Sequence, residues 1–570
     1  MTAFTRNRQQ CQMLIRHFLT HLFNSELVPR RAEARTTLIQ ILALVATPGF
    51  LIMCFLFRKY ARLVPLPVAA AHLASLDEKC LFIFLSMVVV GLVAVLEWDV
   101  LFPDRRDYLI LTPLPIRTGT VFLSKAASLC IFVVLFSLFV NAFPALLYPL
   151  FVSRSLLQAA WFILSHSLAV FAGNAFVFFA CVAIQGLLLN ALGPRLFAGA
   201  SRLVQLFLLV FLLTVFFLMP SVSFESMRQN PFLLDVFAPA WFLGLYQTLL
   251  AGPTAEFIPL ARRALAALGL AGLGFVLSYA LAYKRQLRKT LEIGPAVSTI
   301  RVGLGGVASR CASRLILRNP RERASFSFIV KTLARSQAHR TCFGAYTGAG
   351  LAFVLMGLMT VYSRHGFQAA FQVRTELLSI PLVMGFFLLL GLRVAFSIPT
   401  HLDANWVFRL TDGDNLSGSL SGVCKVMFLI GVLPLLAILF PVYLGLWGWQ
   451  ISCLHMAYCA TLSLLLIEVL VFRLDKMPFT CPYTPGKANL KLWWWAYLFG
   501  FTNYAYSMAE LESRLLQQPR LFILFFAACL TLLLTATAYR NRLISRLSAF
   551  RYEAEAAPAP EPLILSCKPY

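Results

Sequence analysis

Long apolar runs, all but one uncharged, alternate with short polar segments along this chain. The runs occupy 38–57, 81–96, 126–153, 155–194, 203–224 and 264–283, then 341–363, 377–392, 426–446, 452–472, 492–508 and 521–539. About 20 residues of helix cross the hydrocarbon core of a bilayer, so most runs are long enough for one span. Membrane strands would need about ten residues each with alternating faces, and no such alternation is present. The pattern predicts an all-α integral membrane protein with about 12 transmembrane helices. The run at 155–194 contains no Asp, Glu, Lys or Arg and fits either one long tilted helix or two shorter ones broken near Gly173 and Asn174. The run at 492–508, which carries Trp493, Trp494 and Trp495, also suits an interfacial helix.

Composition supports that reading. Hydrophobic residues make up 59% of the chain and charged ones 13%, against about a quarter charged in soluble domains. The net charge of +25 lies mainly between apolar runs, where it orients spans and attracts anionic lipid, so no nucleic-acid partner is expected. With a cytoplasmic amino terminus, the segments 1–37, 103–125, 195–202, 284–340, 399–425, 473–491 and 540–570, which together hold most of the Lys and Arg, all fall on the cytoplasmic side. Both termini are then cytoplasmic. The first external loop, with Arg58, Lys59, Arg62 and Lys79, runs against this scheme. The 13 cysteines include no C-x-x-C pair, so no metal centre and no cofactor is expected. No cleavable signal precedes the first run.

The two series of six runs read as copies. Pro103 and Asp107 follow the second run and Pro399 and Asp403 follow the eighth; each segment then leads to a lysine, Lys125 or Lys425, that opens the next run. The sixth run ends in Ala282-Tyr283-Lys284 and the twelfth in Ala538-Tyr539-Arg540. Before each series lies a basic amphipathic segment. Residues 10–23 carry Met13, Leu14, Phe18, Leu19 and Leu22, and 324–333 carry Phe326, Phe328, Ile329, Val330 and Leu333. Such segments form helices in the interface plane. The predicted organisation is a first six-span half with its interfacial helix (1–290), a basic linker with a second interfacial helix (291–340), a second six-span half (341–548) and a flexible tail (549–570).

Ionisable and polar residues inside the runs or at their ends are candidates for a translocation path. Glu468 and Arg393 each cost about 2.5–3.5 kcal/mol at a helix centre, so each needs a partner, water or the interface. His166 and Asn174 lie within the fourth run. For all four the structural alternative is an ion pair, a snorkelling end residue or an interhelical hydrogen bond.

The order of interfacial helix, two spans, cytoplasmic connection, three spans, external segment and sixth span resembles the membrane subunits of type-2 ABC exporters. The stretch Tyr108-Leu-Ile-Leu-Thr-Pro113-Leu-Pro115-Ile-Arg117, leading to Lys125, is similar to that family's cytoplasmic segment after the second span. The segment 231–253, with Pro239 and Trp241, resembles its re-entrant helices. The resemblance implies that Arg105, Arg106, Asp107, Pro113, Pro115, Arg117 and Lys125 couple the chain to an ATPase, with Asp403 and Arg409 in the second copy. It also implies a location in the cell (inner) membrane. The chain departs from the family in fusing two halves and in lacking the paired prolines in the second copy. No P-loop motif occurs, so a separate ATP-binding subunit, in two copies, is expected and the chain itself is not an enzyme. Two other readings stay open. Glu97, Asp99, Asp104 and Asp107 suit a transferase acting on a lipid-linked substrate through a carboxylate base, and Glu468 suits an ion-coupled secondary transporter.

Overall fold

A computed structural model describes residues 3–23, 31–102, 110–111, 113–114, 116, 118–192, 194–218, 224–229, 231–292, 317, 319–400, 416–472, 477–480, 490–518 and 520–545. Among them 89% are helical and none is in a strand. Ten helices are long and apolar enough to cross a membrane. The protein is therefore an all-α, multi-pass membrane protein. The first and eleventh runs also fall within long helices, of 31 and 28 residues, that are not among those ten. The chain divides into two compact units, Met1–Ser298 and Thr299–Tyr570.

In the first unit the order is α1 (Ala3–Phe23), α2 (Arg31–Ala61), α3 (Val68–Ala74), α4 (Leu76–Leu96), α5 (Thr118–Asn141), α6 (Pro144–Val152), α7 (Leu156–Ala191), α8 (Pro194–Leu218), α9 (Phe224–Gln229), α10 (Pro231–Val236), α11 (Ala238–Ala251) and α12 (Phe257–Glu292). Apolar α4 sits at the centre and packs on α5, α7, α8 and α11. The fourth run forms one continuous helix of 36 residues, α7, about 54 Å long. Gly173 does not break it. The missing side chain lets Met87 approach, since a Cβ there would lie 3.1 Å from that methionine's Sδ. The third run, by contrast, is divided by a turn before Pro144 into α5 and α6.

The second unit runs α13 (Pro320–Arg335), α14 (Gln337–His365), α15 (Thr375–Ala395), α16 (Leu416–Val426), a π-helical turn (Met427–Val432), α17 (Leu433–Trp447), α18 (Trp449–Val471), α19 (Leu490–Gln517) and α20 (Arg520–Ser545). Here α15 is central and packs on α14, α18, α19 and the π turn. The π turn has a local cause in Pro434. Proline lacks the N–H that would bond to the carbonyl four residues back, and its ring crowds that carbonyl. The backbone widens by a residue, and the Leu433 N–H bonds to the Phe428 carbonyl.

In both units the amphipathic helix lies against a helix that carries a lysine singled out by the sequence, α5 with Lys125 and α16 with Lys425. Leu14 and Phe18 of α1 pack with Val121 of α5. Phe326 and Ile329 of α13 pack with Leu420 and Val423 of α16. The outward face of α1 leaves Met13 exposed, as an interfacial helix would.

Candidate functional site

Sequence placed Glu468 inside an apolar run, and the second unit supplies its partner. Arg540 of α20 donates through Nη1 to both carboxylate oxygens of Glu468 on α18, at 2.8 and 2.6 Å. The same Nη1 lies 3.1 Å from the Cys424 sulfur. Both charged side chains are nearly buried, Arg540 at 7% and Glu468 at 12% exposed. Buried charges survive in a low-dielectric interior when paired and hydrogen-bonded.

An open cavity of ≈ 380 Å³ adjoins this pair. Its apolar walls include Phe428, Leu429, Leu433, Leu464 and Leu533, and its polar lining includes Glu468, Thr537 and Lys425. The π turn contributes Phe428 and Leu429 to the wall, so the backbone irregularity at Pro434 shapes the cavity directly. Such a volume falls within the range of small-molecule pockets.

Lys425, lining the cavity, also reaches Glu322 on the interfacial helix α13. Its ammonium lies 2.6 Å from Glu322 Oε2, and the Ser421 hydroxyl donates to Oε1 at 2.8 Å. Burial pushes the Glu322 carboxyl up, but the bonds from Lys425 and Ser421 outweigh it and hold the group below its ordinary value of 4.5. The corresponding place in the first unit is held differently. The Lys125 ammonium lies 4.9 Å from the Phe18 ring centroid, and the Ser124 hydroxyl donates to Cys11 Sγ at 3.3 Å. In both units, therefore, a lysine with a nearby serine contacts the amphipathic helix, Lys125 with Ser124 on α5 and Lys425 with Ser421 on α16.

No protein family, curated protein or solved structure matched the chain. Function has to be argued from its own residues.

The remaining candidates are dispersed. Arg393 donates through Nε to the Leu470 carbonyl at 3.0 Å. Asn174 of α7 donates to the hydroxyls of Ser86 and Ser137, both at 2.8 Å, tying α7 to α4 and α5. His166 is buried with its ring 5.3 Å from that of Tyr246. Pro113 is exposed in a turn, whereas Lys125 is buried. Arg105, Arg106, Asp107, Pro115, Arg117, Asp403 and Arg409 lie outside the described residues, as do Asp104 and the side chain of Asp99.

A second polar cluster, in the first unit, was not legible as a site. Lys79 is 1% exposed. Its ammonium lies 4.0 Å from the Tyr148 ring centroid and 5.4 Å from that of Tyr246, and it donates to the His72 carbonyl at 3.3 Å. The preceding residue, Glu78, pairs with Lys59, and the Tyr148 hydroxyl contacts His72 Nδ1. Burial, and then the Lys79 charge, lower the His72 pKa to about 4. This cluster accounts for part of the excess positive charge in the first loop. Lys79 sits under aromatic faces and Lys59 is paired with a carboxylate, so neither is a bare loop charge. Nearby, Asp77 accepts a bond from the Phe224 N–H at 2.6 Å, anchoring the segment that leads into α10 and α11.

Proposed function

We propose that this chain is the membrane-spanning subunit of an ATP-driven exporter, with two related six-span halves fused and a separate ATP-binding subunit expected in two copies. In this reading both termini are cytoplasmic and the protein sits in the cell (inner) membrane. The observation that carries it is the repeated attachment of an amphipathic helix to the start of the third span, by Lys125 with Ser124 and by Lys425 with Ser421. A transporter driven by a soluble motor needs a stiff element at the membrane face that passes displacement into the spans. Helices packed on the third span meet that need on both halves. The segment 231–251 adds support, because Phe242, Leu243 and Tyr246 are completely buried, and α11 packs on α4, α7 and α12, as helices folded back before a sixth span would.

The cavity beside Glu468 indicates the cargo class. Its apolar walls and charged rim suit a molecule with an apolar body and an ionic head. The ion-coupled alternative is less favoured, because Arg540 engages both oxygens of Glu468. The transferase reading rests on acidic residues whose geometry is mostly outside the described residues.

The test is purification of the full chain from its native membrane, followed by reconstitution in vesicles. An ATP-binding protein should co-purify, and its hydrolysis should rise with the chain present. Reversing Arg105 and Arg106 to Glu should weaken that association without lowering thermal stability. Absence of any ATP-binding partner, or transport that persists without ATP and collapses with an ion gradient, overturns the reading. Labelling of single cysteines should place residues 284–340 on the cytoplasmic side.

A further inference from the structure

The second unit contains a cluster that the exporter reading does not use. His455 and Cys459 stand one helical turn apart on α18, so they share a face. Glu512 reaches them from the last turns of α19. His455 Nδ1 lies 2.7 Å from Glu512 Oε1 and 3.8 Å from Cys459 Sγ. One donor atom from each residue falls within 4.8 Å of the other two, and all three side chains are buried. The imidazole edge packs against the rings of Tyr443 and Trp447, at 4.7 and 5.7 Å between centroids. Tyr443 is itself fixed, its hydroxyl donating to the Leu377 carbonyl at 2.8 Å.

We propose that His455, Cys459 and Glu512 form a binding site for one divalent d-block cation of borderline softness, with zinc as the reference ion. The donor set is the first argument. A ring nitrogen, a thiolate and a carboxylate oxygen together suit zinc, whereas magnesium and calcium favour oxygen alone. Geometry is the second. Metal bonds of about 2.0–2.3 Å in a tetrahedral site put donor atoms roughly 3.3–3.6 Å apart, so the spacings of 2.7 and 3.8 Å from His455 Nδ1 need adjustments of under about 1 Å. The third is an unfilled bonding need. Glu512 is completely buried, and among the described residues its Oε2 has no hydrogen-bond partner. Buried carboxylate oxygens are rarely left so, and a bound cation is one way to satisfy this one.

Charge makes the site compatible with its setting between membrane helices. One divalent cation bound by a neutral imidazole, a thiolate and a carboxylate sums to zero, and any protons those ligands carried pass to solvent on binding. The cation would bridge α18 and α19, which also meet where the Tyr458 hydroxyl bonds to the Met508 carbonyl at 2.8 Å. This site is independent of any ATPase.

The experiment uses the full chain in detergent, carrying no histidine tag, stripped with chelator and titrated with Co²⁺ alone and then with Zn²⁺. Co²⁺ should bind saturably at one equivalent, show a near-ultraviolet thiolate-to-cobalt band, and be displaced by one equivalent of Zn²⁺. In Cys459→Ser the band should vanish. In His455→Ala and Glu512→Gln affinity should fall at least about tenfold, since even outer-shell losses cost that much. Cys54→Ser, at an exposed position outside the cluster, should behave as the parent. Absence of saturable binding, or a band that survives Cys459→Ser, overturns the proposal. Should His455→Ala fail to fold, the near-isosteric Cys459→Ser still decides it.

Discussion

The two units bury charge among their helices by different means. In the first, Lys79 is held by the faces of Tyr148 and Tyr246 and by a backbone carbonyl. In the second, Glu468 is clamped by a guanidinium through two hydrogen bonds. A cation against aromatic faces is attracted by about 0.5–2 kcal/mol and leaves no charge behind when it is removed. A paired carboxylate that loses its arginine stays in the interior as an uncompensated ion. Chains with related run order can thus carry polar interiors of unequal fragility.

The largest expected effect tests that contrast. Arg540→Met should destabilise the protein by about 3–5 kcal/mol, because Glu468 is left buried and unpaired. The double change Glu468→Leu with Arg540→Met should recover most of the loss. Lys79→Met, in the other unit, should shift stability by about 1 kcal/mol or less, the lost cation–π attraction offsetting the relief of burying an ammonium. Thermal unfolding in detergent measures all three. Equal losses for Arg540→Met and Lys79→Met would remove the distinction.

Acid should reach the first unit earlier. His72 is held neutral, with its pKa lowered to about 4 by burial and by Lys79. Its unfolded-state value is about 6.5, so on lowering pH the unfolded chain takes up the proton first. Stability contributed by neutral His72 is complete above about pH 6.5 and is lost as pH falls towards 4, on the order of 3 kcal/mol over the interval. His72→Gln should flatten that part of the stability profile. A profile unchanged by the substitution would show that His72 does not set it.

Close packing gives the next effect. A Cβ on Gly244 of α11 would lie 2.3 Å from Leu260 Cβ and 3.1 Å from the Ala261 backbone nitrogen of α12. Backbone cannot step aside as a side chain can, so Gly244→Ala should cost about 1–3 kcal/mol. In the second unit α19 passes to α20 through the turn at Gln518, with no helical insert to displace. Gly385→Ala, where the nearest atoms are 3.7 Å or more away, should be close to neutral. Melting curves of the two variants compare them directly.

Much of this was written in the apolar periodicity. The described part of every run is almost wholly helical, because a lipid-solvated backbone must satisfy its own hydrogen bonds, and hydropathy reads that requirement well. The two amphipathic segments and the lysines opening the third spans were legible for the same reason. The partners were not. Arg540 reads as a flanking charge after the twelfth run, and only the approach of α20 to α18 makes it the counter-ion of Glu468. Lys79 reads as a loop charge, yet α4 begins before it, at Leu76. Glu512 falls beyond the run that ends at residue 508, whereas α19 extends to Gln517. His455 and Cys459 did leave a trace, an i, i+4 pair of metal-ligating types in one apolar span, but the third member is 57 residues away. The π turn could have been suspected at Pro434, though its cavity depends on which helices lie opposite.

The smallest effect concerns the attachment of the interfacial helices. Glu322 holds Lys425 and Ser421, while the first unit has an aromatic ring and a thiol in the matching roles. Glu322→Gln keeps the shape and removes the charge, so it should cost about 1 kcal/mol, the added strength of a charge-assisted bond over a neutral one. The sign of its pH dependence follows from a folded pKa below 4.5. The contribution is fully present above the unfolded value and disappears as pH falls through the lower, folded one. Acid between pH 6.5 and 5 should therefore leave α13 attached while the His72 region already weakens. Hydrogen exchange of the α1 and α13 amides reads this locally, since opening of one helix need not be global unfolding. Glu322→Gln should raise exchange in α13 alone at neutral pH, and the difference between variant and parent should shrink only as pH falls below the ordinary carboxylate value of 4.5. Equal exchange in α13 with and without the charge would mean that Phe326 and Ile329 hold the helix by themselves.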